Sequence, residues 1–275
     1  MGRRKDLTLR SPHERASRST HHRNPAAFRT LAALAVLLLL TGCGSGWGWY
    51  EVLPTTPRGR DNFLFLLSGF WLTLAVSGTA IVFSVLLGLL VALPGLAADK
   101  RLRWFNRVYV EVFRAIPILV MLLWTYYGLP ILLGISLSPF VAGVLALALC
   151  DSAFEAEIFR AGIQSIERGQ IDGADSLGLT YVQKMRFVIL PQAIRRILPA
   201  LGNQFVYMLK MSSLVYVLGL PELTRRANEL SVTVYRPLEI YSVLVLEYLV
   251  LILVVSWLVR RLEKRLGANV LQAGG

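Results

Sequence analysis

Residues Gln170–Pro191 read QIDGADSLGLTYVQKMRFVILP. The stretch is polar and punctuated by glycine, and long apolar runs flank it on both sides. In a chain built to live in lipid, a lone amphipathic insert of this kind is where something soluble can grip.

The flanking sequence establishes the lipid setting. Of the 275 residues, 55% are apolar and 17% are charged. Near-uncharged runs span Phe63–Leu96, Val108–Ile135, Leu137–Phe154, Phe205–Leu220 and Ile240–Val259. Runs of about 20 apolar residues match the hydrocarbon core of a bilayer. Lipid leaves no partner for free backbone groups, so such runs are expected to be helices. A sixth run, Thr30–Trp49, is diluted by Gly42, Gly44, Gly46 and Gly48. The expectation is an all-α, multi-spanning membrane protein.

The formal net charge of +12 then reads as topology rather than nucleic-acid binding. Basic residues crowd the tail before residue 30, the loop Lys100, Arg101, Arg103 and Arg107, and the end Arg260, Arg261, Lys264 and Arg265. Short cytoplasmic loops collect Lys and Arg. With six spans, all three clusters and the 170–191 insert fall inside, with both termini cytoplasmic. The opposite segments, around Pro54–Asp61 and Glu222–Glu239, are nearly charge-balanced. Residues 1–29 carry few large apolar side chains and are expected to form a disordered basic tail, as 263–275 form a cytoplasmic tail.

A competing reading applies to the N-terminus. Leu31–Cys43 follows a basic region and ends Leu40-Thr41-Gly42-Cys43, which looks like a lipoprotein cleavage box. Its apolar run has signal-peptide length. Cleavage there would leave lipid on Cys43 and five spans, so 30–49 is either an extra span or a removed signal.

Much conventional chemistry is excluded. His13, His21 and His22 all sit in the basic tail, so no histidine-based triad or zinc cluster is expected in the folded part. Cys43 and Cys150 are isolated in apolar runs and read as packing thiols. No G-x-x-x-x-G-K-[ST] phosphate loop is present. The chain is not expected to be an enzyme or to hold a metal or cofactor.

Ahead of the insert, Phe154–Ile166 continues the Leu137–Phe154 run, with Glu155, Glu157 and Arg160 expected where it surfaces. Gln170–Leu177 is a short helix candidate with Asp172 and Asp175 in its early turns, where the helix dipole favours acids. Gly178 suits a C-terminal cap. Tyr181–Leu198 resumes helical spacing, with Pro191 expected to kink or end its first half. On pattern alone, a surface connector with no partner explains the insert as well as a docking site does.

The intervals in this stretch resemble the signature loop of ABC importer permeases. Asp172-Gly173-Ala174 is followed after three residues by Gly178, and after nine more by Val188-Ile189-Leu190-Pro191. The words around it, such as Ala156-Glu157-Ile158, Leu190-Pro191-Gln192-Ala193 and Tyr109–Pro117, resemble the polar amino-acid subfamily (histidine/glutamine-type permeases). Asp172-Gly173 stands where the family has Glu-Ala, and Lys210-Met211-Ser212-Ser213 where it has Lys-Asp-Thr-Ser. The resemblance implies a type I permease core of five helices plus one extra N-terminal helix, with the transmembrane domain at 63–262 and a coupling segment at 160–200. It implies a multi-pass protein of the bacterial inner membrane that forms the pathway for a polar amino acid. Asp172, Gly173, Ala174, Leu177, Gly178 and Pro191 would form the ATPase-coupling element. Implied partners are a cytoplasmic ABC ATPase dimer holding ATP and Mg, a second permease (a copy or a paralogue), and a solute-binding protein outside, with Glu222–Glu239 a plausible contact.

Charges at membrane depth are costly and usually functional. Lys210, Glu247 and Asp151 are candidates for the substrate pathway, with Asp151 either lining it or pairing with Lys210. Glu111 with Arg114, and Glu157 with Arg160, sit three residues apart and read as structural ion pairs, the second near a gate. Two other classes stay open: a channel or scaffold without an ATPase, and a membrane protein anchored by lipid at Cys43.

Overall fold

The computed structural model of the chain describes residues 48–265. The tail 1–29, most of the 30–49 run with Cys43, and residues 266–275 lie outside that range. The described residues form eleven α-helices: α1 (Pro57–Leu67), α2 (Phe70–Leu96), α3 (Lys100–Ala115), α4 (Ile118–Leu123), α5 (Leu129–Leu133), α6 (Pro139–Gln164), α7 (Arg168–Ser176), α8 (Tyr181–Lys184), α9 (Leu190–Met211), α10 (Leu223–Val234) and α11 (Pro237–Arg265). No strand occurs among them.

Three stretches, Pro57–Leu96, Pro139–Gln164 and Pro237–Arg265, are long and apolar enough to cross a bilayer. Two broken pairs, Lys100–Ala115 with Ile118–Leu133 and Tyr181–Leu218 with Leu223–Val234, raise the number to as many as five. The helical structure therefore runs past the 63–262 limits at both ends.

The Val108–Ile135 run is not one straight span. It bends by 96° between α3 and α4. The cause is Pro117, which disfavours the helical region for the residue before it; Ile116 is extended at φ −79°, ψ 123°. The segment Glu222–Glu239 is also no simple loop, because α10 fills most of it. Glu222 caps α10, accepting from the amides of Thr224 (3.0 Å) and Arg225 (2.7 Å). A hydrogen bond of 3.0 Å from the Tyr248 hydroxyl ties this cap to α11.

The bundle is organised around α2 and α6. Val76, Ala80, Ser84, Gly88 and Ala92 repeat at i, i+4 along α2, and all are buried. Helices in lipid associate through such small-residue faces, since burying apolar area gives no advantage there. At Gly88 the approach is closest: a Cβ would sit 2.5 Å from the Cβ of Glu155. The outward side chains of α2, among them Phe83, Leu86, Leu90 and Leu93, are exposed, as a lipid-facing surface requires.

Asn106 closes the far end of α2. Its Nδ2 donates to the Val91 carbonyl at 2.7 Å, beside the turn that Pro94 interrupts. Asn106→Leu leaves that buried carbonyl without this donor. The expected cost is about 1–3 kcal/mol, read as an earlier unfolding midpoint in detergent; an unchanged midpoint would show that the bond contributes nothing.

Candidate functional site

Three sites emerge from this frame: an exposed helix, a buried acidic cluster, and a charged groove between α3 and the end of α6.

The exposed helix is α7. It begins at Arg168, two residues earlier than expected, because extended Glu167 (φ −61°, ψ 138°) occupies the N-cap position. Asp172 therefore falls mid-helix, and the first turn holds no acid. Asp175 lies near the end, where it pairs with Lys184 at 2.6 Å. The helix stops in a Schellman arrangement: Leu179 N donates to Ala174 O (3.2 Å) and Gly178 N to Asp175 O (2.9 Å). Gly178 takes φ +70°, the left-handed conformation such a stop requires. Thr180 and Gln183 then cap α8 reciprocally, a Thr-x-x-Gln signal visible in the sequence and not used in the reading of it. Ala174 is buried, whereas Asp172, Gly173, Leu177 and Gly178 are exposed.

Pro191 does not end the helix. A π-turn at Met185–Ile189 precedes it, with Leu190 N bonded to Met185 O. The wider turn shifts the hydrogen-bond register, and Pro191 occupies the first turn of α9, where a missing amide hydrogen does least harm.

The acidic cluster lies on α6. Asp151 Oδ2 accepts from Ser84 Oγ at 2.7 Å, and Oδ1 accepts from Gln204 Nε2. Asp151 thus joins α2, α6 and α9 and does not pair with Lys210. Gln204 and Lys210 are six residues apart on α9, so they leave it about 120° apart in direction. Lys210 is exposed in a separate groove of about 440 Å³ with Asn203, Tyr207, Ser256, Arg260 and Glu263. One turn from Asp151, Glu155 is 0% exposed and neither carboxylate oxygen has a hydrogen-bond partner among the described residues. It does not surface where the sequence reading placed it. Its i, i+4 spacing from Asp151 was the available signal. Glu247 on α11 also has two buried, unpartnered oxygens.

The charged groove runs between α3 and the end of α6. Arg160 grips Glu157 with two bonds, Nε–Oε1 at 3.0 Å and Nη2–Oε2 at 2.7 Å. No ion pair joins Glu111 to Arg114. The Arg114 guanidinium instead lies 5.0 Å from the centre of the Phe154 ring.

Apolar helices able to cross a bilayer up to five times define a multi-pass membrane protein. Residues 84–268 match the family described as binding-protein-dependent transport system inner membrane component. A probable glutamine ABC transporter permease, GlnM of Bacillus subtilis (strain 168), is 42% identical over 75% of this chain and 95% of its own length. The glutamate/aspartate import permease GltK of Escherichia coli O157:H7 is 36% identical over 79% of this chain and 97% of its own. The crystal structure of an amino acid ABC transporter with histidines superposes at TM-score 0.71 with 42% identity, covering 75% of this chain and 96% of that one. Inward-facing structures of the MetNI methionine ABC transporter, at 23% identity and TM-score 0.63, share the fold. The chain belongs to the inner membrane permeases of binding-protein-dependent ABC importers.

Proposed function

We propose that this permease carries a polar amino acid inward for an ATP-driven importer, and that α7 couples it to a separate ATPase. The observation that carries the reading is α7 itself. It has one buried residue, Ala174, a glycine-defined stop, and an exposed Leu177 at its tip. An apolar tip held outside its own bundle is built to enter a groove on another protein.

The remaining parts follow. The basic clusters support an orientation with the α7 end and both termini in the cytoplasm, where a dimeric ATPase holds ATP and Mg. A second permease completes the pathway, and a solute-binding protein docks on the opposite end, near α10. Relatives named for glutamine, arginine and glutamate/aspartate support an amino-acid cargo. Within the permease, Glu155 receives the positively charged group of that cargo and Asp151 holds the surrounding helices in register.

Reconstitution with the co-purifying ATPase and solute-binding protein tests this. Labelled glutamine, arginine or glutamate is expected to accumulate only with ATP and with the binding protein. Uptake that proceeds equally without ATP overturns the importer reading.

A further inference from the structure

We propose that the groove between α3 and α6 holds the phosphate of an anionic phospholipid, whose acyl chains lie along the apolar flank of α3. The proposal relies on the orientation given above only for the choice of leaflet.

Helix α3 has three distinct faces. One is buried: Asn106 bonds to Val91, Tyr109 shares a hydrogen bond of 2.8 Å with Ser152, and Phe113 packs on Tyr109 with ring centres 4.5 Å apart. A second face carries Arg103, Arg107, Glu111 and Arg114, which line a groove of about 390 Å³ with Glu157 and Arg160 of α6. The third is apolar and open, with Trp104, Phe105 and Val112 at 66%, 53% and 47% exposure. A helix with one basic and one apolar flank, bent by 96° from the segment that follows, has the form of an element lying at a membrane interface.

The charges in the groove do not cancel. Glu157 is occupied by Arg160. Arg103, Arg107 and Arg114 form no ion pair with any described residue, and Glu111 forms none either. Three unpaired guanidinium groups against one unpaired carboxylate leave a formal surplus of +2. Guanidinium forks match phosphate oxygens in pairs. A free phosphate needs only the groove. The aromatic flank beside it selects an anion that carries its own apolar chains, and an indole at headgroup level is the usual membrane anchor.

Native mass spectrometry of the full-length chain in a neutral detergent tests the proposal, with phosphatidylglycerol, phosphatidylcholine and inorganic phosphate as probes. Phosphatidylglycerol is expected to remain bound where phosphatidylcholine is lost. Arg103→Gln with Arg107→Gln lowers its affinity by about fivefold for each arginine removed. Arg103→Lys with Arg107→Lys retains charge and most of the binding, which separates charge loss from misfolding. Trp104→Ala with Phe105→Ala weakens the lipid without creating a preference for phosphate. Equal retention of both lipids, indifference to the glutamine pair, or equally tight inorganic phosphate each overturns it. So does loss of the lipid on addition of the ATPase, which would make the groove a subunit contact. None of these readouts requires transport, so the proposal fails or stands separately from the importer reading.

Discussion

Leu177→Glu is expected to abolish stable association with the ATPase while leaving the fold of the permease unchanged. Leu177 is 79% exposed at the end of α7 and follows the helix as its cap residue. Its side chain therefore supports nothing within this chain that a carboxylate would disrupt. If it is the apolar anchor of the contact, burying a charge in the partner's groove removes more than about 2 kcal/mol, or at least thirtyfold in affinity. Gly173→Arg makes the same test by bulk. A Cβ at Gly173 meets nothing within 4 Å, and arginine is the better helix former, so the free permease loses no stability. Ala174→Glu is a poor probe, because Ala174 is 4% exposed and faces its own chain. Gly178→Arg tests the helix stop, since φ +70° strains any side-chain-bearing residue there by about 1–2 kcal/mol. The measurement is co-purification of tagged permease with the ATPase, alongside the unfolding midpoint. Wild-type yield of complex from both Leu177→Glu and Gly173→Arg removes α7 from the contact.

How these elements could be read from sequence depended on the range of the interactions that form them. The position of α7 was legible because its stop is local: Gly178 supplies the left-handed residue that ends it. Its start was misplaced because Glu167 caps by backbone conformation rather than by a side-chain bond. The apolar runs gave the membrane class directly, yet Pro117 turned one of them by 96°, a local cause that hydropathy ignores. Pro191 erred in the other direction, since a π-turn absorbed it. The i, i+4 residues from Val76 to Ala92 mark the face that meets α6, a signal that the hydropathy of the run does not report. The partners of Asp151 were not, because Ser84 and Gln204 lie 67 and 53 residues away, and only packing brings them together. Glu155 was misread for a related reason. Proximity to Glu157 and Arg160 suggested a helix leaving the membrane, whereas α6 stays buried on nearly every side from Cys150 through Ala156.

Glu155→Gln is expected to slow uptake by at least about a hundredfold, equivalent to about 2.7 kcal/mol, while raising the stability of the resting permease. The two effects have one source. A fully buried acidic side chain with neither oxygen partnered is costly in a low-dielectric bundle whenever it carries its charge, and the amide keeps its shape and never carries one. A residue retained only for packing would gain stability from this change and lose nothing. A residue that receives a positive group of the cargo gains stability and loses transport. Asp151→Asn supplies the contrast. Its oxygens already accept from Ser84 and Gln204, and the amide can satisfy only one of those donors. That variant is expected to lose stability by about 1–2 kcal/mol. Unfolding midpoints in detergent and initial uptake rates in proteoliposomes separate the two carboxylates. Undiminished uptake by Glu155→Gln, across glutamine, arginine and glutamate, excludes the buried cluster from the pathway. It would leave Lys210, in its exposed groove between α9 and α11, as the better-placed charge.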